Sequence, residues 1–422
     1  MGIRMLECYP RVVAAHRCTT LYFRFEGEIT TLPEVKLQPM ESYVDHAPDY
    51  SSKCEDRYPW VALTEVDDGL YSVDAAFEGE QRYSVRIRMG EEAVFYGYVY
   101  AVATDLAALR PYKGDTHLHT NRSDGWEEPF DTVCAYRAAG YDFVAITDHG
   151  RYYPSVDTRA ELAPLTDRFH VMLGEEVHPK GGSYFHIISL DADRHVTEAF
   201  EQRPACVQAE IQRILDTRDL SELPDPYAAA MRIFITSEIR AAGGIAVMAH
   251  PFWEIADEYN MQTVEFFYHW RHGDFDALEL LAGCDDTGNG NNLQELLWND
   301  LRAEGLTIPI VGASDSHVPR CLCDYDHFSR QFTLAFATDT ADLSTAIREQ
   351  RAVAVHRTSD KHFRCIGPYR YAKYARFLMA EYYPARAPLD AAHAEALAAR
   401  DTAALATVES DLAGFDSKFY GV

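Results

Sequence analysis

Hydrophobic and polar positions follow two different patterns along this chain of 422 residues. Up to about residue 108, segments rich in aromatic and β-branched residues are separated by Gly, Asp and Pro, a pattern typical of strands joined by turns. These segments are TTLYFRFEGEI, GLYSVDAAFEG, QRYSVRIRM and AVFYGYVYAVA. The pattern predicts a small all-β, sandwich-like or barrel domain over residues 1–108. Because it shows no cluster of catalytic residue types, we expect a role in packing, substrate shaping or oligomerisation.

Near residue 109 the pattern changes, and short apolar runs begin to alternate with helix-like segments. The apolar runs are YDFVAIT, FHVML, YFHIISL, GIAVMA and TIPIVGA. Between them, PFDTVCAYRAAG starts with Pro129 and ends at Gly140, as helices commonly do. This alternation predicts an α/β layer or barrel with parallel strands over residues 109–360. The Ala-rich remainder predicts a C-terminal helical extension over residues 361–422.

Composition and charge narrow the classes of function. Hydrophobic residues make up 47% of the chain and charged residues 25%, as in globular proteins with real cores. The 66 acidic and 39 basic residues give a net charge of -27, which argues against nucleic acid as the main partner. Nine scattered cysteines without a CxxC pair favour reduced thiols. With no signal-peptide pattern and no apolar run of membrane-spanning length, a cytoplasmic protein without a membrane partner is predicted.

Histidines and carboxylates recur at the ends of the predicted strands. In GDTHLHTNRSDGW, His117 and His119 would share one face of a strand, and Asp124 follows in a turn. Further candidates accompany the later strands: His149, Glu175, Glu176, His186, His250, Asp315 and His317. The carboxyl ends of strands form the edge of α/β domains at which active sites lie. Mixed His and carboxylate ligation without cysteine suits Zn, Mn or Fe.

Each of these residues, taken alone, also has a structural interpretation. Asp148 and Asp315 could cap helices. A histidine within an apolar run, such as His186, could be a hydrogen-bonded core residue. The recurrence of His or carboxylate at one strand end after another favours the metal site.

The ordered segments DTHLHT…SDG, AITDHG, GEEV…FHII, AHP and SDSH resemble the motifs of the PHP (polymerase and histidinol phosphatase) superfamily across residues 112–356. The resemblance implies a distorted (β/α)7 barrel that holds up to three metal ions. The N-terminal region is more weakly similar to the CehA- and McbA-like branch of that superfamily. We therefore expect a PHP-type barrel, preceded by the all-β domain and followed by the helical extension.

The resemblance also implies a set of metal ligands. His117, His119 and Asp315 would hold a first ion, and Glu176 would bridge it to a second. His186 and His250 would complete the second site. Asp124, His149 and His317 would hold a third ion. In the GEE sequence we choose Glu176 over Glu175 because it leaves Gly174 two residues before it and His186 ten residues after it.

These ligands predict a hydrolase that cleaves a phosphate ester of a small metabolite or nucleotide. Attack by a metal-bound hydroxide at a di- or trinuclear centre of Zn, Mn or Fe is the chemistry expected. His178 is a candidate general acid, as are His250 and a histidine released from its metal. Asp115 and Asp148 are candidates to orient imidazoles, with simple turn formation as the alternative. Three basic residues are candidate phosphate donors: Arg122, Lys180 and Arg320.

Other functions stay open at this point. The same site could hydrolyse a carboxyl ester or a carbamate. A nuclease is disfavoured by the acidic charge. In a different class, the protein could bind a ligand or carbohydrate through the β domain, with structural metals. The expected partner is a small phosphorylated substrate, and self-association into a homo-oligomer is a further expectation.

Overall fold

The computed structural model describes residues 3–41, 58–179, 186–255, 257–283, 289–318, 328, 330–359 and 362–422. It divides into two compact units. The first comprises Met1–Leu109, Ala380–Ala385 and Ser410–Val422, and the second comprises Arg110–Met379 and Arg386–Glu409. Within the described ranges, no helix combines the length and the hydrophobicity needed to cross a bilayer. The three segments predicted from the sequence, with their boundaries, remain predictions.

The strands follow the two patterns of the sequence closely. Their bounds are β1 Arg4–Tyr9, β2 Val12–Ala14, β3 Arg17–Glu26, β4 Pro33–Pro39, β5 Val61–Ala62, β6 Thr64–Asp67, β7 Leu70–Phe77, β8 Gln81–Met89, β9 Glu92–Val102, β10 Arg110–Leu118, β11 Phe143–Ile146, β12 His170–Met172, β13 Gly174–Val177, β14 Ile187–Leu190, β15 Ile245–Met248, β16 Glu254–Ile255, β17 Glu258–Tyr259, β18 Ala277–Ala282, β19 Ile310–Ala313, β20 Gln331–Ala337, β21 Ala352–Ser359, β22 His362–Ile366 and β23 Tyr420–Gly421. Each apolar run quoted above contains one of these strands.

The helices lie between the later strands and at the C-terminus. Their bounds are α1 Thr104–Ala107, α2 Pro129–Ala138, α3 Tyr153–Leu162, α4 Glu198–Gln202, α5 Pro204–Thr217, α6 Pro226–Ala241, α7 Thr263–Arg271, α8 Asn289–Ala303, α9 Leu343–Arg348, α10 Tyr369–Ala398 and α11 Thr402–Phe419. Helix α2 begins at Pro129, and Gly140 just beyond it has a φ of 78°, the left-handed conformation that favours glycine after a helix. The Ala-rich segment is helical, as predicted.

The first unit consists of two sheets that share one hydrophobic core. Their strand orders are β1-β3-β7-β6 and β23-β2-β9-β8-β4-β5. Alternate residues point inward, so that Phe23 of β3 and Val85 of β8 are fully buried in the same cluster. Most neighbouring strands are antiparallel, whereas β2 is parallel to both β9 and β23. The strand-rich character predicted for this region is confirmed.

The second unit also contains two main sheets, in a mixed α/β arrangement. Their strand orders are β12-β11-β10-β20-β21-β22 and β13-β14-β15-β18-β19. Two isolated parallel bridges link the sheets, Leu118 with Ser316 and His149 with Glu176. In the part of the chain that is described, the strand pairing does not close into one continuous barrel. The bridges bring the carboxyl ends of β10 and β11 next to the other sheet.

The expectation of parallel strands is wrong for part of this unit. Strands β10, β11 and β12 are parallel, as are β15, β18 and β19, but β14 is antiparallel to both β13 and β15. Only residues 178–186 join β13 to β14, fewer than the dozen or so that a crossover between parallel strands takes. Strand β20 is likewise antiparallel to β10.

Buried ion pairs attach the C-terminal part of α10, which belongs to the second unit, to the rest of that unit. Arg137 of α2 lies 2.6 Å from Asp390, and Arg386 lies 2.8 Å from Asp142 and 3.0 Å from Asp390. All four side chains are almost fully buried. Because an unpaired buried charge is costly, removing either arginine would leave a carboxylate without full compensation.

Candidate metal centre

Six histidines and three carboxylates lie together where the two sheets of the second unit meet. His117 is near the end of β10, and His119 follows it on the same face. Backbone hydrogen bonds fix this segment against the one after β19, since His119 N donates to Ser316 O and Asp315 N donates to His117 O, both at 2.9 Å. The segments after β11 and in β13 are joined in the same way, by Gly150 N donating to Glu176 O at 2.8 Å. The turns that carry the candidate ligands are therefore held by main-chain bonds.

His186 reaches the same edge by a route that the sequence did not reveal. It immediately precedes β14, so it lies at the amino end of a strand rather than at the carboxyl end. Because β14 runs antiparallel to β13 and β15, its amino end lies beside the carboxyl ends of those two strands. The correction to the strand direction thus explains why His186 joins the other ligands.

The nine predicted ligands form four overlapping groups, in each of which the donor atoms lie within 4.8 Å of one another. The groups are His117, His119 and Asp315; His117, Glu176 and His250; His149, Glu176 and His186; and His119, Asp124, His149 and His317. The predicted first set recurs unchanged, and the predicted third set recurs with His119 added. The predicted second set is divided, because Glu176 meets His250 in one group and His186 in another. All nine residues are brought together, while their assignment to particular ions stays a prediction.

Distances within the innermost group match those between ligands of one ion. Nε2 of His117 and Nε2 of His119 are 3.1 Å apart, and Asp315 Oδ1 lies 3.1 Å and 3.0 Å from them. Glu176 Oε2 lies 3.3 Å from each of the two imidazole nitrogens. Donor atoms held about 2.0–2.2 Å from a common ion are separated by about 3–3.5 Å. His117, His119 and Asp315 therefore already have the spacing of a coordination shell, while Glu176 lies beside the two imidazoles without joining that group.

The group around Asp124 is looser and more open. Asp124 Oδ2 lies 3.5 Å from His149 Nε2 and 3.4 Å from His317 Nε2, and Oδ1 lies 3.7 Å from His119 Nδ1. The Asp124 side chain is 54% exposed, whereas those of Glu176 and His117 are fully buried. This group therefore forms the solvent-facing side of the cluster.

The electrostatics of the cluster favour positive charge. Burial by itself lowers the pKa of His117, but the nearby carboxylates, first that of Asp315, raise it well above its ordinary value. Burial is likewise outweighed at His149, because the nearby carboxylates of Asp124 and Glu176 raise its pKa to about 10. The surrounding imidazoles hold the pKa of Glu176 well below its usual range despite its burial. Without a metal ion, protons on the imidazoles carry the positive charge that these carboxylates attract. A bound divalent cation would supply that charge instead.

Two buried imidazole nitrogens of the cluster make no hydrogen bond with the described residues. A nitrogen that binds a metal ion needs no hydrogen-bond partner. Nδ1 of His149 lies 3.0 Å from Glu176 Oε2 but without hydrogen-bond geometry. Nδ1 of His250 is buried with no partner among the described residues. His250 and Asp315 also have positive φ angles of 24° and 51°, a strained conformation that is common at functional sites. Donor atoms of nitrogen and oxygen alone fit Zn, Mn or Fe.

Sequence reasoning missed Glu279, which lies directly behind the cluster. Its Oε2 accepts a hydrogen bond from Nδ1 of His117 at 2.9 Å, and the carboxylate is fully buried. This bond fixes the tautomer of His117 and leaves Nε2 free to bind an ion. The available signal was a single acidic residue in the otherwise apolar strand ALELLA, residues 277–282.

The structure separates the two glutamates of the GEE sequence. Glu176 points into the cluster, while Glu175 accepts hydrogen bonds from the backbone N–H groups of Val196 and Thr197. Glu175 Oε2 also lies 3.2 Å from Nε2 of His195. Glu175 therefore holds the loop before α4, and the choice of Glu176 as the candidate ligand agrees with the geometry.

Asp115 and Asp148 lie beside the cluster, but their hydrogen bonds correct the role predicted for them. Asp115 Oδ1 accepts from the backbone N–H groups of His117 and Ser314, at 3.2 Å and 3.0 Å. Burial raises the pKa of Asp115 to about 6. Asp148 accepts from Thr120 N and from the hydroxyl groups of Thr120 and Ser123, all at 2.7 Å. Both carboxylates therefore fix ligand-bearing backbone, because their bonds go to N–H and O–H groups rather than to imidazoles.

The remaining predicted residues differ in position. The ring of His178 lies 5.0 Å from that of His149 between centroids, and burial and the neighbouring imidazoles lower its pKa. Arg122 is half-exposed and forms an ion pair with Glu128 at 2.5 Å. Lys180 and Arg320 lie outside the described residues. The catalytic and substrate-binding roles of these residues stay predictions.

Comparisons with known proteins give structural neighbours only. No protein-family model and no curated protein matches the chain. A two-domain protein from Bacteroides vulgatus, containing a predicted PHP-like metal-dependent phosphoesterase, is 16% identical, with a TM-score of 0.44 over 65% of this chain and 71% of the other. A presumed metal-dependent phosphoesterase from Bifidobacterium adolescentis is 18% identical, with a TM-score of 0.34 over 48% and 87% of the two chains. An amidohydrolase from Chromobacterium violaceum, with bound sulfate and no metal, is 18% identical, with a TM-score of 0.33 over 49% and 88%.

At these identities and TM-scores the similarity assigns no activity to the chain. The case for a function therefore depends on the geometry of the cluster.

Proposed function

We propose that this protein is a PHP-type metal-dependent phosphoesterase that binds two to three divalent ions and hydrolyses a phosphate ester of a small molecule. The observation that carries the proposal is the convergence of six histidines and three carboxylates into four overlapping groups of donor atoms. A structural zinc site needs four ligands in one closed shell. Nine ligands with shared members instead suit a multinuclear centre, of which phosphatases are one class.

The residues of the chain prepare this centre for a phosphoryl group. Bound divalent ions would neutralise phosphoryl charge and lower the pKa of an attacking water. Glu279 retains the proton on Nδ1 of His117, so that Nε2 is the nitrogen that would bind an ion. Asp148 fixes the turn that carries Asp124 on the open side of the cluster. His178, beside His149, can hold a proton for the leaving oxygen.

The finer parts of the proposal concern fold and location. We propose that the two bridged sheets of the second unit correspond to the distorted barrel of the PHP superfamily, with the all-β unit as an accessory domain. The scattered, unpaired pattern of the cysteines favours a cytoplasmic location. A small phosphorylated metabolite or nucleotide remains the proposed substrate class, because the strongly acidic charge disfavours polynucleotides.

The experiment is a measurement of metal content together with phosphate release. Protein reconstituted with Zn, Mn or Fe is examined by plasma mass spectrometry and assayed against phosphomonoesters, phosphodiesters and carboxyl esters. The Asp124→Ala, His317→Ala double variant is compared with an exposed control, Glu304→Gln. The proposal predicts two to three ions per chain and phosphate release, both lowered in the double variant and unchanged in the control.

Other results would refute defined parts of the proposal. A folded protein that binds no ion after reconstitution would refute the metal centre. Bound ions with hydrolysis of carboxyl esters alone would keep the centre and replace the substrate class. Bound ions with no hydrolysis of any ester, and ligand binding that survives loss of His117, would favour a binding protein.

A further inference from the structure

A cavity of about 760 Å³ lies beside the ligand-bearing turns of the second unit. Its wall includes Arg122, two residues before Asp124, and Arg151, two residues after His149. This volume lies within the range of sites for small molecules, about 300–1,000 Å³. The cavity therefore has the size and the position to receive the part of a substrate that extends away from the metal centre.

The turn after β11 divides its side chains between the cluster and the cavity. Gly150 has a φ of 56° and donates its N–H to Glu176 O, while Arg151 N donates to Asp148 O at 3.0 Å. This turn places His149 among the candidate ligands and Arg151 in the cavity wall. Because Cα atoms two residues apart are separated by at most about 7 Å, the cavity wall begins within that distance of a candidate ligand.

Arg151 differs in its pairing from the other two arginines of the wall. Arg122 forms an ion pair with Glu128, and Arg400 forms one with Glu161. The exposed guanidinium of Arg151 makes no ion pair or hydrogen bond with any residue that the structure describes. It is therefore free to bind an anion, and its planar donors suit a carboxylate or a phosphate.

Two neighbouring features suit the binding of an organic anion beside Arg151: the start of helix α3 and the ring of Tyr153. Helix α3 begins at Tyr153, so the positive end of its dipole lies next to Arg151, and its N-cap residue, Tyr152, provides no side-chain cap. The ring of Tyr153 is 54% exposed and packs edge-on against His195, with centroids 5.8 Å apart. His195 is itself fixed by Glu175, so the aromatic wall has a rigid support.

We propose that this cavity binds the leaving group of the substrate and that Arg151 recognises a second anionic group on it, either a carboxylate or a second phosphate. The inference rests on the proposed function, since the first phosphate is the one presented to the metal centre. The carbon skeleton of the leaving group lies against Tyr153. The wall also carries six carboxylates, of which Glu128 and Glu161 pair with Arg122 and Arg400. The other four disfavour an anion anywhere in the cavity except beside Arg151.

The test compares matched substrates that differ in the second anionic group. The first pair is 3-phosphoglycerate against glycerol 3-phosphate, and the second is fructose 1,6-bisphosphate against fructose 6-phosphate. The kcat/KM ratio within each pair is measured for the metal-loaded wild type, Arg151→Gln and Arg151→Lys. Arg159→Gln is the matched control, because this exposed arginine lies on helix α3, which begins two residues after Arg151, but not in the cavity wall.

We expect the wild type to prefer the doubly anionic member of at least one pair by about tenfold or more, the worth of a charge-assisted hydrogen bond. Arg151→Gln should abolish this preference, Arg151→Lys should retain part of it, and Arg159→Gln should leave it unchanged. The pair that responds tells whether the second anion is a carboxylate or a phosphate. No preference in the wild type, or the same preference in Arg151→Gln, would overturn the inference.

A binding measurement separates this inference from the proposed function. The dissociation constants of the same four compounds are measured by calorimetry on the metal-loaded proteins. If neither these compounds nor any phosphate ester of the panel described above is hydrolysed, but the binding ratio still depends on Arg151, the anion site is supported and the phosphoesterase proposal is refuted. If hydrolysis occurs but neither the kcat/KM ratio nor the ratio of dissociation constants changes in Arg151→Gln, the phosphoesterase proposal stands and the anion site is refuted.

Discussion

Replacing Glu279 by glutamine would remove the charge behind His117 while keeping the shape of the side chain. In the structure, Glu279 Oε2 accepts the Nδ1 hydrogen bond of His117 at 2.9 Å, and both side chains are fully buried. The other oxygen of Glu279 has no hydrogen-bond partner among the described residues. The carboxylate is therefore dedicated to His117, and its replacement tests that role with little change in packing.

The expected loss can be worked from this single bond. A hydrogen bond to a charged group contributes about 1.5–3 kcal/mol, which corresponds to about a ten- to hundredfold change in an equilibrium constant. Losses of the same size are found when carboxylates behind metal-bound histidines are replaced. We therefore predict that Glu279→Gln weakens the binding of the tightest ion by about tenfold or more. The measurement is a competition titration with a chelating indicator, with the fold monitored by circular dichroism.

The control for this prediction is Glu304→Gln, which removes a surface carboxylate paired with Arg271 at 2.6 Å. It should leave the metal affinity unchanged. If Glu279→Gln folds normally and binds metal within about twofold of the wild type, the account of Glu279 as the residue that positions His117 is refuted.

Three further predictions concern the surroundings of the cluster. Glu175→Ala should lower the free energy of unfolding by about 1–3 kcal/mol, because the buried N–H groups of Val196 and Thr197 lose their acceptor. It should leave the metal content unchanged, and a loss of ions would contradict this prediction. Asp148→Ala should release the turn that carries Asp124 and reduce the ions counted by mass spectrometry by about one per chain; unchanged stoichiometry would argue against this. In metal-free protein, the raised pKa of His149 stabilises the fold fully below its ordinary value of 6.5, and the contribution is lost as the pH rises through about 10. The urea concentration at the unfolding midpoint should therefore decrease as the pH rises from 6.5 to about 10, while the metal affinity increases. A midpoint that increases with pH over this range would refute the prediction.

Much of the second unit could be predicted because its sequence pattern is local. Each apolar run contains a strand, since a short apolar run between turn residues leaves few alternatives. The histidines and carboxylates lie next to these strands, so placing the strands also places most of the candidate ligands at one edge. His117 and His119 illustrate this, because the period of two alone puts both imidazoles on one face.

Other features depend on contacts between distant parts of the chain and could not be predicted in the same way. Glu279 is 162 residues from His117, and nothing in ALELLA shows what its carboxylate meets. The antiparallel direction of β14 follows from a short connection whose ends the sequence does not mark. Asp115 and Asp148 have the residue type expected beside a metal ligand, but their oxygens accept hydrogen bonds from backbone N–H groups instead of imidazoles.

The central claim is that the nine clustered side chains bind several divalent ions, and anomalous diffraction tests it most directly. Crystals of protein reconstituted with Mn or Zn would be measured on both sides of the absorption edge of the metal. We predict two or three anomalous peaks within about 2.0–2.2 Å of the donor atoms, with Glu176 shared between two of them. A single peak with four closed ligands would indicate a structural ion, and no peak among these residues would contradict the claim.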